Sequence, residues 1–235
     1  VFSTYVYTGT GASGHSINNG INTSGEGALV WIKDREASME HTLFDTERGV
    51  SKALYSDANS AEATQANALT SFNNNGFTVG ADNWVNSGND FASWTFRKAP
   101  GFFTIKEYTG SDSTQQISHD LGCIPGCYMI KNLSNSGSWM VYHRQLNGGV
   151  NAAHYRLSLN TNAGETDADV FGDTAPTATH FTVGGSHQQT NASGDDYICY
   201  LFAGGESTAA TARSVEFDST FPGDDLKIAS SSDFE

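Results

Sequence analysis

The side chains that could perform chemistry are scattered along this 235-residue chain rather than gathered into a motif. The chain contains no Gly-x-Ser-x-Gly nucleophile turn, no phosphate loop ending in Gly-Lys-Ser/Thr and no His-Glu-x-x-His pair. His143 and Arg144 lie beside a predicted strand, but a catalytic role requires a base, a partner and a pocket together. The sequence therefore predicts no catalytic residue, no metal site and no cofactor.

Carboxylates are the next candidates, because glycosidases on sandwich folds need two of them across a cleft. Asp167, Asp169 and Asp173 are spaced like the oxygen ligands of a calcium loop, and Asp224 precedes Asp225. The first cluster lacks the glycine and the distant glutamate of a complete loop motif. Solvated turn residues are the better interpretation of both clusters.

Two polar loops are more interesting as binding sites, because binding residues concentrate on loops held by a rigid sheet. The candidate ligand-facing residues are Asn83, Trp84 and Asn86 in one loop, and His187, Gln188, Gln189 and Asn191 in the other. An aromatic ring could stack on a sugar whose hydroxyl groups the amides bind. The competing interpretation is that Trp84 caps the end of the sandwich or packs in the neighbouring repeat.

These loops occupy equivalent places in a sequence repeat. Phe-Thr-Val-Gly precedes each of them, at 77–80 and 181–184, and an aromatic-rich run follows each. Other pairs recur in the same order with offsets of 98 to 106 residues: Tyr7-Thr8-Gly9 with Tyr108-Thr109-Gly110, Ile32-Lys33 with Ile130-Lys131, Leu43-Phe44-Asp45 with Val141-Tyr142-His143, and Phe91 with Tyr197. A kept order with a drifting offset predicts a tandem duplication.

Composition places the chain in the all-β class. Charged residues are 16% and aromatic residues 11%, with 25 glycines, which favours short strands joined by tight turns. Apolar side chains alternate onto one face in the runs 91–96 and 197–202. We predict two tandem jelly-roll-like β-sandwich domains, at 1–100 and 101–205, related by internal duplication. An alternative is that both repeats contribute strands to one larger sandwich.

The duplication predicts which side chains superpose. The expected pairs, all pointing into equivalent cores, are Trp31 with Met129, Phe44 with Tyr142, Phe77 with Phe181, and Trp94 with Tyr200. Phe102 and Phe103 fall at the junction between the copies, and consecutive strand residues face opposite ways. One of the two rings is therefore expected in an inter-repeat or inter-chain contact, and the intact protein as a homo-oligomer, with a trimer as one candidate.

Charge and cysteine content narrow the partners. The formal net charge of −14 argues against nucleic acid. No apolar run approaches the length of a membrane span, so no membrane insertion is expected. Three cysteines cannot form a disulfide framework, and turn or core positions are favoured over a Cys123–Cys127 bridge.

The last part of the chain changes character. Residues 206–213 are small, polar and without periodicity, as in a linker. Residues 214–235 contain two short alternating runs around a Pro-Gly turn, and a hairpin of that size is marginal alone. We interpret 214–235 as the start of a third domain.

Several segments carry a family resemblance, among them "ALVWIKDREASMEHTLFDTERGVSKALYS", "FASWTFRKAPGFF", "ISHDLGCIPGCYMIKN" and "YICYLFAGG". Together they resemble an uncharacterised repeat of tail-fibre-like and other structural proteins of marine bacteriophages, over residues 1–205. The end, "SVEFDSTFPGDDLKIASSSDFE", looks like the opening of a laminin-G-like, concanavalin-type domain.

The resemblance implies a modular fibre or adhesin in the virion or outside the cell, without enzymatic activity. The favoured hypothesis is a non-catalytic structural or receptor-binding segment of a bacteriophage fibre. Its partners would be further copies of the chain, other virion proteins and a cell-surface glycan. The alternatives are a secreted glycan-binding module or glycosidase on a concanavalin-like sandwich, and a bacterial surface or filament protein.

Overall fold

The computed structural model describes residues 1–185, 187–205, 215–217 and 226–228. Its regular structure is almost entirely antiparallel β-sheet, with several sheets in a sandwich-like arrangement. This confirms the predicted all-β sandwich class. Within the described residues, no helix has the length and apolar character needed to cross a membrane.

The first half contains nine strands and one helical turn. The strands are β1 (Phe2–Thr8), β2 (His15–Asn18), β3 (Ala28–Asp34), β4 (Thr42–Asp45), β5 (Lys52–Tyr55), β6 (Ala63–Thr64), β7 (Leu69–Asn73), β8 (Gly76–Val79) and β9 (Asp90–Arg97), with the helix α1 (Asn83–Asn86) between β8 and β9. They form a six-stranded sheet in the order β1-β9-β3-β4-β5-β6 and a three-stranded sheet in the order β2-β8-β7. Residues 60–69 contain β6 and the start of β7.

The second half contains eight strands and two 3₁₀ turns. The strands are β10 (Phe103–Thr109), β11 (Gln115–Ser118), β12 (Pro125–Asn132), β13 (Met140–His143), β14 (Tyr155–Ser158), β15 (Thr166–Asp167), β16 (His180–Val183) and β17 (Asp196–Ala203), and the 3₁₀ turns are Leu146–Gly149 and Ala152–His154. The six-stranded sheet has the order β10-β17-β12-β13-β14-β15, and β11 pairs with β16.

The large sheets of the two halves have the same strand order, and corresponding ladders keep the same register, whereas β7 in the small sheet of the first half has no counterpart among the described residues of the second. The ladder positions that correspond are Trp31 opposite Trp94 and Met129 opposite Tyr200, Val30 opposite Phe44 and Tyr128 opposite Tyr142, and Ile17 opposite Phe77 and Ile117 opposite Phe181. Each residue pair expected to superpose therefore holds the same place in its ladder. A common origin by duplication stays a prediction.

Repeated glycines explain part of the sequence repeat. Gly9 and Gly110 end the two Tyr-Thr-Gly motifs, and a Cβ there would overlap the carbonyl oxygens of Ser87 and Ala192. The glycines that end the two Phe-Thr-Val-Gly motifs lie as close to a backbone carbonyl of their own half. A side chain at these sites would push the backbones apart, so the turns require glycine.

Three apolar cores hold the sheets together. One lies between the large and small sheets of the first half, and one between those of the second half. The third, which we call the shared core, joins the two large sheets and contains Leu29, Leu43, Leu54, Phe103, Ile105, Met129, Trp139, Val141, Ile198 and Tyr200. Each sheet takes all its strands from one half. The halves are thus two sandwiches that share a core, not one sandwich with mixed strands.

At the end of the chain, β18 (Val215–Phe217) and β19 (Leu226–Ile228) pair in antiparallel fashion. The predicted linker at 206–213 lies outside the described residues. So does the rest of the predicted third domain at 214–235, including Asp224 and Asp225.

Candidate functional site

The first predicted loop is a capped helical turn rather than an open loop tip. The Asp82 side chain accepts a hydrogen bond from the Trp84 backbone nitrogen at 2.9 Å, which begins α1. Asn83 is exposed, whereas Trp84 is half-buried with its ring centroid 4.8 Å from that of Tyr55. Trp84 therefore packs against the core of its own half.

Asn86 and Asn191 are fully buried, so the expectation that they face a ligand is corrected. Asn86 Oδ1 accepts from the Thr10 backbone nitrogen at 2.8 Å, and its Nδ2 donates to the carbonyls of Ala12 and Gly80, each at 2.7 Å. Each side-chain amide therefore joins separate backbone segments of its own half. A buried amide needs such partners because its donors and acceptor cannot bond to bulk water.

Asn191 repeats this arrangement bond for bond. Its Oδ1 accepts from the Ser111 backbone nitrogen at 3.0 Å, and its Nδ2 donates to the carbonyls of Ser113 and Gly184. A side chain on β2 or β11 completes each site, since His15 Nδ1 lies 3.0 Å from Asn86 Oδ1 and Gln115 Nε2 lies 2.8 Å from Asn191 Oδ1.

The second predicted loop is fixed through its backbone. The Gln188 carbonyl accepts from Asn132 Nδ2 at 3.0 Å and from the Tyr197 hydroxyl at 2.8 Å, while the Gln188 side chain is exposed. His187 is half-buried, and burial together with nearby Arg156 lowers its pKa. Asn83 and Gln188 are thus the fully exposed members of the predicted set, and their binding role stays a prediction.

The candidate metal and thiol sites do not assemble in the described part of the chain. It contains no group of three His, Cys, Asp or Glu side chains able to hold a metal ion. Asp173 Oδ2 instead lies 3.6 Å from His154 Nδ1. Cys123 and Cys127 are free thiols, and burial raises the pKa of Cys127 to about 11, which keeps it protonated at neutral pH.

A buried polar network crosses the junction between the halves. Asp45 Oδ2 accepts from Arg48 Nε at 2.6 Å and from the Tyr200 hydroxyl at 2.7 Å. Arg48 Nη2 also donates to the Tyr200 hydroxyl oxygen at 3.2 Å. The Asp45 and Arg48 side chains are at most 1% exposed. Nearby, Trp139 Nε1 donates to the Tyr55 carbonyl at 2.8 Å. We call Asp45, Arg48 and Tyr200 the junction triad.

The junction triad explains a difference between the two sequence copies. Asp45 lies in the Leu-Phe-Asp-Thr-x-Arg-Gly segment of the first copy, where the second copy has His143. The Asp45 carboxylate of the first half accepts a hydrogen bond from Tyr200 of the second half, whereas the His143 side chain is exposed. The sequence contrast at this position therefore reflects the packing of unlike surfaces.

An acidic cleft of about 340 Å³ opens beside the junction triad. Its lining residues are Glu47, Arg48, Glu62, Glu107, Leu133, Ser134 and Asp196. Glu62 pairs with Lys52 at 3.0 Å and with Arg48 at 3.4 Å. Desolvation, followed by the charge of Asp45, raises the pKa of Glu107, although its side chain stays exposed.

Phe102 and Phe103 lie where the shared core meets the surface. Phe103 is fully buried in the shared core. Phe102 is half-buried, and its ring centroid lies 6.4 Å from that of Phe96 on the first half. The phenylalanine run thus helps to join the two large sheets.

An aromatic surface on the first half is the main feature that sequence reasoning missed. Trp31, His41, Trp94 and Phe96 line an open depression of about 300 Å³ on the large sheet. The two tryptophan rings meet edge to face, with centroids 6.3 Å apart. Trp31 and Trp94 were expected inside a core like that around Tyr200, but they are only half-buried. Which face of a sheet another sheet covers cannot be read from strand alternation.

His41 is electrically neutral in this depression. Its Nδ1 accepts a hydrogen bond from Trp31 Nε1 at 3.2 Å, which requires a lone pair on that nitrogen. Desolvation is the main cause that lowers the His41 pKa; the charge of Asp57 opposes this shift and that of Lys33 adds to it. The depression therefore presents apolar rings and an uncharged imidazole.

Comparison with protein families gives one match. A family described as a domain of unknown function, DUF7483, matches residues 1–211. The chain belongs to this family. Neither the curated proteins nor the solved structures gave a match.

The DUF7483 match includes both halves and the junction between them. The family is therefore defined over the two-sandwich unit rather than over one repeat. On the described part of this DUF7483 domain, the acidic cleft and the aromatic depression are two surfaces with a distinct chemical character.

Proposed function

We propose that this DUF7483 member is a non-catalytic structural segment of an extracellular assembly, of the bacteriophage-fibre type that the sequence resembles. In this role the chain spaces and displays neighbouring parts of the assembly and binds further copies of itself. The receptor-binding form of the proposal places a host-surface glycan or protein at an exposed face of the same unit.

The observation that carries the proposal is the way the halves are joined. Ten buried residues, nine from the two large sheets together with Trp139, form the shared core, and the junction triad links the halves beside it. The Asp45–Arg48 ion pair lies within the first half, and the Tyr200 hydroxyl of the second half donates to Asp45 and accepts from Arg48. An arrangement of the halves that kept these groups buried without those two hydrogen bonds would be penalised, because unsatisfied buried polar groups are costly. Two sandwiches held in one orientation suit a rigid spacer better than two domains joined by a flexible linker would.

Charge and composition support an extracellular location. The chain carries a formal charge of −14, which keeps a protein soluble and limits non-specific contacts. The fold is also consistent with this location, because antiparallel sandwiches occur in many cell-surface domains.

Mass spectrometry of purified virions from the source of this sequence tests the proposal. Peptides from residues 1–205 at a fixed ratio to other virion proteins are the expected result. Peptides found in the host envelope or culture fluid, and not in particles, would contradict the virion role.

The acidic cleft supports a second candidate, glycoside hydrolysis. Glu62 pairs with Lys52 and Arg48, whereas burial raises the pKa of Glu107. Glycoside hydrolysis requires two carboxyl groups, one of raised pKa that acts as the acid and one that acts as base or nucleophile. Release of reducing ends from a polysaccharide panel, abolished by Glu107→Gln, would favour this candidate. No release by the wild-type chain would remove it.

A further inference from the structure

The first half exposes an apolar sheet edge. Among the described residues, eight large hydrophobic side chains are exposed, and four of them are consecutive or near neighbours at the start of the chain: Val1, Phe2, Tyr5 and Val6. Strand β1 pairs with β9 on one side and forms the edge of its sheet on the other. Edge strands are usually protected by charges, proline or a covering segment. Strand β1 contains no charged residue and no proline.

This edge continues into the aromatic depression. Phe2 lies opposite Phe96 and Thr4 opposite Trp94 in the β1–β9 ladder, so these side chains share one sheet face. The ring centroids of Phe2 and Phe96 are 4.8 Å apart. We call this surface the open face; its residues are Phe2, Thr4, Val6, Trp31, Trp94 and Phe96.

The same face is covered in the second half. Phe103 and Ile105 hold the ladder positions of Phe2 and Thr4, opposite Phe202 and Tyr200. Phe103 is 0% exposed, whereas Phe2 is 46% exposed. What covers the second-half face is the sheet of the first half, through Leu29, Leu43 and Leu54. This fold therefore buries this face against another copy of the same fold.

The open face is also continuous with that existing interface. The Phe96 ring lies 5.6 Å from Phe103 and 5.4 Å from Phe202, both of which pack at the shared core. An apolar partner on the open face would extend a packed layer already present rather than create an isolated contact.

The distribution of charge favours this surface over the other surfaces of the chain as the place where a second copy binds. Two chains of net charge −14 repel one another. Strand β1 is uncharged, and the side chains that line the depression are aromatic rings and one imidazole. Lys33 shares this sheet face, but its Nζ donates to three backbone carbonyls beside the face. Repulsion between copies is weakest where both surfaces carry little charge. A glycan fits less well, because the Trp31 N–H already donates to His41 and the Phe96 ring has no hydrogen-bonding group, which leaves few polar groups for sugar hydroxyls.

We propose that the open face is a homodimer interface, in which the open face of one chain packs against the open face of a second copy. The two β1 strands and the two aromatic depressions then lie inside the contact. The contact is isologous, with the same residues on both sides, as in most two-fold dimers. The inference rests on the proposed role as an assembling structural segment and names the surface used.

Sedimentation velocity of the 235-residue chain, with Val6→Lys and a matched control, tests the interface. Val6 is 59% exposed on the open face, and Val150, which is 63% exposed in the second half, supplies the control Val150→Lys. We expect a wild-type dimer in the micromolar range, with Val6→Lys raising the dimer Kd by about a hundredfold or more, because each substitution places two like charges together. Val150→Lys should leave Kd unchanged.

Thr4→Lys on the same face is the second variant, used if Val6→Lys loses its native circular dichroism. A wild-type dimer whose Kd neither variant changes would overturn the open face as the interface while leaving the assembling role intact. A wild-type monomer throughout the range would overturn the dimer itself, whereas virion mass spectrometry tests the structural role separately. Saturable quenching of tryptophan fluorescence by an oligosaccharide, without dimer formation, would replace the second copy with a glycan.

Discussion

The two halves agree in their loop closures and differ in what covers their large sheets. Asn86 and Asn191 make corresponding hydrogen bonds to corresponding loops. The β10–β17 face is buried, whereas the β1–β9 face remains open. Interactions inside a half depend on its own fold, so they are the same in both. Interactions between the halves join unlike surfaces, so the two halves contribute different residues to them.

The difference separates two physical roles within one fold. The buried asparagines and the motif glycines determine the shape of each sandwich. The junction triad and the shared core determine how two sandwiches combine. Substitutions in the first group should act equally in both halves, and substitutions in the second group should act only at the junction.

The largest expected effect comes from Arg48→Met, which leaves Asp45 buried without its cation. Removing one partner of a buried ion pair costs about 3–5 kcal/mol, since the remaining charge is unpaired. We expect the free energy of unfolding in urea to fall by that amount.

Lys98→Met is the control for Arg48→Met. Lys98 pairs with Glu47 at 2.8 Å in a more exposed position. Such a pair contributes about 0.2–1 kcal/mol, so the control should lose little. Equal losses in the two variants would mean that burial of the junction triad is energetically unimportant.

The next effect compares Asn86→Ala with Asn191→Ala. Each substitution leaves buried backbone groups without partners, at a cost of about 2–4 kcal/mol in total for several lost hydrogen bonds. The two losses should agree within about 1 kcal/mol because the bonds correspond. Urea denaturation of both variants, with exposed Asn83→Ala as the control, measures this. A large loss in one half alone would show that the matching geometry hides unequal energetics.

The sequence predicts the fold better than the surfaces. Alternation in 91–96 and 197–202 predicted paired strands, because a strand's period is local. The buried position of Asn86 was not predicted, since polar residues near a glycine are typical of exposed turns and the partners at Thr10 and Ala12 are distant in sequence. The half-exposure of Trp94 was not predicted because it depends on where the second half docks.

A third comparison sets Lys131 against Lys33. Lys33 Nζ donates to three backbone carbonyls, whereas fully buried Lys131 donates to the Asn132 carbonyl at 3.0 Å. Burial lowers the pKa of Lys131 from 10.5 to about 8. Lys131→Met should therefore raise the free energy of unfolding at pH 7 by about 1–3 kcal/mol, because the buried charge is removed.

The pH dependence gives the sign of the Lys131 effect. Between pH 8 and 10.5 the unfolded wild-type chain binds the proton that the folded chain has released. Wild-type stability therefore rises with pH relative to the variant, and the advantage of Lys131→Met should shrink across that window. Urea titrations of both proteins at several pH values measure the difference, in which other alkaline ionisations cancel. A difference that stays constant with pH would show that Lys131 is not buried with its charge.

The smallest effect distinguishes two buried tyrosines, Tyr200 at the junction and Tyr128 within the second half. The Tyr200 hydroxyl donates to Asp45 and accepts from Arg48, so Tyr200→Phe should lower the free energy of unfolding by about 1–2 kcal/mol. The Tyr128 hydroxyl is buried without a hydrogen-bond partner among the described residues, so Tyr128→Phe removes an unsatisfied group. That variant should be neutral or slightly more stable, since the ring contacts are kept. Urea denaturation measures the free energy of unfolding of both variants. A larger loss of that free energy for Tyr128→Phe than for Tyr200→Phe would contradict the junction triad as the polar contact that holds the two halves together.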